Sequence, residues 1–560
     1  MPIYEKYVGR SRDDFVTLED LNKNFKLKWN DDFNFAYDVM DTLAAEKPNE
    51  LALLWVGENG EEKRITYAEL KTESDRTANY FRSLGIRKGD RVLLTLRRSY
   101  YFWYCMLALH KIGAIAVQAT HMLMTKDYTY RCNLAKIKCA IITGVGICAD
   151  EFDKGEGQYE TVELKLLTGR VHRDGWRDFE AEREACSADW TRPTGDDATK
   201  ATDIMLLSFS SGTTGYPKMI THDFTYPLGH ICTGVFWHRV EEGGLHFTIS
   251  DTGWLKSLWG KFYGQWFGES AVFVYDFDRF DGADILSKLE KYRVTTFCAP
   301  PTMYRMMLLN DVSKYDLSSL KHCCTAGEAM NPDIYDQWKE QTGLKIFEGF
   351  GQTETTLALA TLYPWMQPRP GSMGLPAAGY QVSVLDPEGR ECEPGVTGEV
   401  CVRADSPNSR PRGLFIGYHD APEATAAQWH DGYYHTGDTA YRDELGLFWY
   451  VGRNDDIIKS SGYRIGPFEV ESVLSEHPAV LECAVTGVPD PVRGFNVKAT
   501  IILNDGYEPS DELTKELQTY VKKNTAPYKY PRVVEYVKEL PKTISGKVRR
   551  VEIREHDAKK

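Results

Sequence analysis

Between Thr66 and Val117 the chain twice exchanges a helical hydrophobic period for a short apolar run, and few architectures accept that order. Thr66 and Glu69 form a capping-box pattern, after which Leu70, Thr77, Ala78, Phe81 and Leu84 recur at helical spacing until Gly85. Gly89-Asp90 then introduces Arg91-Val92-Leu93-Leu94-Thr95-Leu96, a run suited to a strand buried on both faces. An aromatic-rich helix around Tyr104 to Ile112 follows, then a second strand near Ala114 to Val117. This alternation predicts a parallel sheet covered by helices, an α/β fold. The Gly/Asp/Glu-rich stretch around Asp150 to Glu160 reads as an exposed loop.

A length of 560 residues exceeds what one hydrophobic core sustains, so at least two domains are expected. From about Gly371 the texture changes to short strands separated by turns such as Pro387-Glu388-Gly389 and Pro394-Gly395. After Arg453 a smaller α+β unit begins, in which Ser510 caps a helix carrying Leu513, Leu517 and Val521 on one face. A boundary near Asp455 divides the chain into residues 1–454 and 455–560.

The net charge of -14 argues against a general nucleic-acid or membrane-surface binder, though a local basic site can still receive a polyanion. Twelve scattered cysteines form no CxxC pair and no zinc-finger spacing, and the adjacent Cys323 and Cys324 read as buried strand residues. A reducing compartment fits this usage. The start, MPIYEKYVGRSRDDF, lacks an apolar h-region and is too acidic for a transit peptide, and no apolar run approaches the roughly 20 residues of a membrane span. A soluble, cytoplasmic protein is expected.

The strongest chemical signal is Ser210-Ser211-Gly212-Thr213-Thr214-Gly215-Tyr216-Pro217-Lys218, after the apolar run Ile204 to Leu207. Glycines let backbone approach phosphate oxygens, the hydroxyls donate, and Lys218 adds charge. It is not a Walker A loop, because Tyr216-Pro217 separates glycine from lysine and Met219 follows.

This loop resembles the phosphate loop of the adenylate-forming superfamily, which includes acyl-CoA synthetases, luciferases and peptide-synthetase adenylation domains. The resemblance covers the chain from about Phe35 to Arg554, with later motifs in the family's order, and comes nearest to the medium-chain acyl-CoA synthetase branch. It implies a large N-terminal domain of α/β subdomains plus a small β-barrel-like part, and a small mobile α+β C-terminal domain. It also implies ATP, coenzyme A and Mg²⁺ as ligands.

By that resemblance ATP is bound by Ser210, Ser211, Gly212, Thr213, Thr214, Gly215 and Lys218, and by Gly327 and Glu328. Glu348-Gly349-Phe350-Gly351-Gln352-Thr353-Glu354 supplies an aromatic face for adenine, Thr353 for the α-phosphate or acyl carboxylate, and Glu354, with Thr214, for Mg²⁺. Phe350 stands where the family usually has tyrosine. Asp438 in Tyr434-His435-Thr436-Gly437-Asp438 is assigned the ribose hydroxyls, Arg453 and Arg464 the ribose or phosphates, and Asp455 the hinge. Lys547, in Leu540-Pro541-Lys542-Thr543-Ile544-Ser545-Gly546-Lys547, is assigned adenylation, its ammonium between two anions that otherwise repel. Ser461, Gly462 and Tyr463 are assigned the pantetheine arm, and Arg493, Lys522 and Arg532 the coenzyme A nucleotide.

The implied reaction joins a carboxylic acid to coenzyme A in two halves, through an acyl-adenylate. Lys256, Trp259 and Gly351 are expected to line the acyl pocket. Acetate-activating relatives carry a tryptophan where Gly351 stands, so a medium-chain, branched or aryl acid is expected over acetate. Two other readings stand beside this one: loading of a carrier protein's thiol, against which no carrier-like domain follows Lys560, and a non-catalytic nucleotide binder. The oligomeric state is open, a dimer being one option.

Overall fold

The computed structural model describes residues 2–209, 217–405, 409–461, 463–542 and 547–558, without the side chain of Arg464. The capping box at Thr66 opens the helix Tyr67–Ser83, and the strands Arg91–Thr95 and Ile115–Gln118 flank the wholly buried helix Tyr101–Ile112. Leu93 pairs in parallel with Val117 on one side and Ala140 on the other, as the alternating pattern requires. Eight strands make this first sheet among the described residues, and its strand Ile204–Phe209 leads into the glycine-rich loop.

A second, larger sheet has parallel strands at its centre, including Thr296–Cys298, His322–Ala326 and Ile346–Phe350. Cys323 and Cys324 lie in it as buried side chains. The short strands expected after Gly371 are antiparallel and continue this same sheet through Ser372–Pro376, Phe448–Arg453, Tyr433–Arg442, Gly398–Arg403 and Val382–Leu385. A third sheet, of five strands, is built from Ile458–Ser460, Tyr463–Ile465, Val480–Asp490, Gly494–Leu503 and Val533–Tyr536. Helix Asp511–Asn524 covers it, capped by Ser510 and burying Leu513, Leu517 and Val521.

One local expectation fails. Within Asp150 to Glu160 the chain forms the end of a helix, Cys148–Asp153, before turning. Phe152 is fully buried against Tyr128, Tyr159 and Trp176, and Glu151 accepts from the Thr125 amide at 3.0 Å. Burial of one ring outweighs the surrounding polar composition. Among the described residues no helix is long and apolar enough to cross a membrane.

Candidate active site

Three strands of the larger sheet deliver the central groups. Ile346–Phe350 ends at the turn carrying Gly351, Gln352, Thr353 and Glu354, while Tyr433–Arg442 and Phe448–Arg453 pair so that Asp438 faces Arg453. Cross-strand pairing brings the two charges together, with Arg453 Nη1 3.3 Å from Asp438 Oδ1. Gln352 locks the arrangement from the other side. Its Nε2 donates to Thr436 O at 2.9 Å and to Asp438 Oδ2, while its Oε1 accepts from Tyr434 Oη at 2.7 Å. Burial raises the Asp438 pKa, and Arg453, Gln352 and Lys547 act against that rise. The result is a fixed, buried carboxylate able to accept two hydroxyls.

Glu354 is only partly buried. Tyr418 Oη donates to its Oε1 at 3.1 Å, and the Lys218 ammonium lies 4.7 Å from the centre of the same tyrosine ring. Burial raises the Glu354 pKa while Tyr418 and Arg453 lower it. A partly exposed carboxylate with an anchored oxygen fits the hard-oxygen donor that Mg²⁺ takes. His222 meets Thr353 O at 2.9 Å, fixing the backbone of the residue assigned to the α-phosphate. His222 and Tyr418 had no signal of their own in the sequence, since each acts through a partner distant along the chain.

Lys256 Nζ donates to Ala326 O at 2.6 Å, beside Gly327, whose φ of +103° suits glycine alone. Glu328 accepts from Thr302 Oγ1 at 3.1 Å. Burial lowers the Lys256 pKa, with Lys547 adding to the effect and Glu328 opposing it. Lys547 is itself exposed, and its neighbour Val548 bridges to Lys542.

The structure assigns two predicted residues a different setting. Glu348 is buried, and its two oxygens accept from the amides of Met330 at 2.9 Å and Gly371 at 2.6 Å; it holds backbone rather than facing the cleft. Gly351 was expected to leave open space. A Cβ placed there would lie 2.5 Å from Trp259 Cη2 and 2.4 Å from Thr356 O, so the glycine makes room for the Trp259 indole. A side chain on Gly349 would likewise meet Trp237, at 2.6 Å. Phe350 remains partly exposed at its strand's end.

In the smaller unit, Arg493 Nη1 donates to Ser461 Oγ at 3.1 Å, and Tyr463 stacks on Tyr528 with centroids 4.0 Å apart. Lys522 and Arg532 both face the ring of Tyr530, at 3.9 and 4.5 Å. Asp455 lies 3.8 Å from Arg453 Nε, and the neighbouring Asp456 accepts from Arg554 at 2.6 Å. The predicted residues Ser210, Ser211, Gly212, Thr213, Thr214, Gly215 and Gly462, and the side chain of Arg464, lie outside the described residues.

Residues 40–418 match the family of AMP-binding enzymes, and residues 469–547 match the AMP-binding enzyme C-terminal domain. The chain is 41% identical to human (Homo sapiens) acyl-coenzyme A synthetase ACSM3, mitochondrial, over 97% of its own length and 93% of that protein's. It is 41% identical to human ACSM5, mitochondrial, over 94% and 90% of the two chains. Among solved structures it resembles the anthranilate CoA ligase AuaEII in complex with anthranoyl-AMP, with a TM-score of 0.85, 29% identity, and 95% and 98% of the chains covered. A benzoate CoA ligase from Burkholderia xenovorans LB400 superposes with a TM-score of 0.79 at 26% identity, covering 93% and 100%.

Proposed function

From the premise that this chain belongs to the AMP-binding enzyme family, we propose how its own residues divide the work of that chemistry. The enzyme is an ATP-dependent acyl-CoA synthetase: a carboxylic acid, ATP and coenzyme A give acyl-CoA, AMP and pyrophosphate through an acyl-adenylate. The observation that carries the division of roles is the buried Asp438 carboxylate, held between Arg453 at 3.3 Å and the Gln352 amide at the end of the turn that carries Thr353 and Glu354.

Asp438, held by Gln352 and Arg453, orients the ribose. Thr353, with its carbonyl fixed by His222, holds the α-phosphate beside the acyl carboxylate. The carboxylate oxygen attacks the α-phosphorus and pyrophosphate leaves, with Lys547 lying between the two anions and stabilising the developing charge. Glu354, with Thr214, would hold Mg²⁺, which supplies neutralisation of phosphate charge. The unit after Asp455 then turns, withdrawing Lys547 and bringing Ser461, Gly462 and Tyr463 to the adenylate, so that one cleft serves two half-reactions. The coenzyme A thiol attacks the acyl carbon and AMP leaves. Arg493, Lys522 and Arg532 serve the coenzyme A nucleotide.

The acid proposed is branched, aryl or of medium chain length. Trp259, seated over Gly351, bounds the pocket on that side and favours a compact, bulky acyl group over a long straight one. A cytoplasmic location is proposed from the twelve cysteines, none of them in a disulfide. AMP release measured from acetate to decanoate, with branched and aryl acids and with or without coenzyme A, tests this reading. Turnover best on acetate would overturn the pocket argument, and turnover indifferent to coenzyme A would overturn the acceptor.

A further inference from the structure

Glu399, Cys401 and His435 bring three different donor atoms within 4.8 Å of one another. The sheet geometry explains the convergence. Cys401 and His435 are direct cross-strand partners in the antiparallel pair of Gly398–Arg403 and Tyr433–Arg442, and Glu399 precedes Cys401 by two residues on the same face. A register irregularity between Glu399 and Cys401 turns the carboxylate toward the pair. His435 Nδ1 then lies 3.1 Å from Glu399 Oε2 and 3.4 Å from Cys401 Sγ.

We propose that Glu399, Cys401 and His435 form a binding site for a thiophilic divalent cation, Zn²⁺ above all. Tetrahedral zinc with bonds of about 2.0 to 2.3 Å separates its ligand atoms by roughly 3.3 to 3.8 Å, close to the spacings found here. Cys401 is buried, while the side chains of Glu399 and His435 keep 23% and 14% exposure, enough to admit an ion and leave a fourth position for water. In the metal-free state His435 Nδ1 donates to the Glu399 carboxylate, and because Nε2 has no hydrogen-bond partner among the described residues the proton can move there when an ion takes the Nδ1 lone pair. Binding forms Zn–S, Zn–N and Zn–O bonds and releases the thiol proton to solvent, without redox change. Thiolate and carboxylate together cancel the charge of the ion, which suits a half-buried place. Mg²⁺, a hard cation, does not compete well for a thiolate.

Glu535, His556 and Asp557 also converge, but both acids there already hold the buried Lys498 ammonium. At the proposed site the remaining carboxylate oxygen of Glu399 accepts from the Gly437 amide at 2.9 Å, next to Asp438. A cation drawing on Glu399 therefore loosens the Gly437 turn and raises the KM for ATP. That kinetic consequence rests on the ribose role given to Asp438; the binding itself does not.

The test uses full-length enzyme freed of metal by chelation, titrated with Co²⁺ as a spectroscopic probe and then with Zn²⁺. The expected result is one equivalent per chain with a thiolate-to-cobalt charge-transfer band. Cys401→Ala should lose the band and weaken zinc by more than the roughly 10- to 100-fold that loss of an outer-shell partner costs, while keeping its metal-free turnover. Should Cys401→Ala fold poorly, zinc-edge X-ray absorption on the unaltered enzyme should read one sulfur among lighter ligands. No band in the unaltered enzyme, a band surviving in Cys401→Ala, or a sulfur-free zinc shell would overturn the site. Zinc binding without a change in KM for ATP would instead count against the ribose role of Asp438 and leave the site standing.

Discussion

Tyr418 joins the two charged ends of the phosphate region: its hydroxyl donates to Glu354 Oε1 at 3.1 Å, and its ring lies 4.7 Å from the Lys218 ammonium. The phenol holds a carboxylate in place and lowers its pKa against the effect of burial. Tyr418→Phe keeps the ring under Lys218 and removes only the bond. Loss of one hydrogen bond to a charged group costs about 1.5–3 kcal/mol, so kcat/KM for adenylation should fall roughly 10- to 100-fold. Without the phenol the Glu354 pKa rises further, so the acidic limb of the pH–rate profile should move to higher pH. An unshifted limb would show that Tyr418 does not position Glu354.

Lys547→Ala should separate the two half-reactions. Removing a charge aimed at the developing transition state costs on the order of 10²–10³ in rate, and only in adenylate formation. Thioester formation from supplied acyl-adenylate should be unchanged. Equal loss of both half-reactions would contradict the role given to Lys547.

Glu348 makes stability depend on pH. Burial pushes its carboxyl from 4.5 up to about 8, against the backbone bonds from Met330 and Gly371. The folded state therefore holds a proton that the unfolded chain has released, and stability present below about pH 4.5 declines as pH rises toward 8. Glu348→Gln cannot titrate, so its Tm should vary less across that window, whatever constant offset the amide brings. Thermal unfolding of both proteins from pH 5 to 8 decides it, and equal slopes would sink the idea.

Gly351→Ala should cost about 1–3 kcal/mol in stability, because the new methyl meets the Thr356 carbonyl at 2.4 Å as well as the Trp259 ring. Trp259→Ala relieves only the second clash, so combining the two should recover part of the loss in denaturant melts. Trp259→Ala alone should move acid preference toward longer chains, read as a fall in their KM. A double variant no more stable than Gly351→Ala would mean the ring is not what the glycine accommodates.

What the sequence determined by itself is what near neighbours decide. The capping box at Thr66, the cap at Ser510 and the buried strand Arg91–Thr95 were readable because caps and periodicity act over a few residues, and the motifs that carry Thr353, Glu354, Asp438, Arg453 and Lys547 stood out by family resemblance. Asp150 to Glu160 misled because composition carried no sign of the ring that Phe152 would bury. Only the tertiary structure decided the rest: Tyr418 reaches Glu354 across 64 positions, His222 reaches Thr353 across 131, and Trp259 occupies the room beside Gly351. Cys401 meets His435 because two strands pair in one register, and a slip of one residue would turn them to opposite faces. Such contacts depend on how distant segments pack, and no local pattern encodes that.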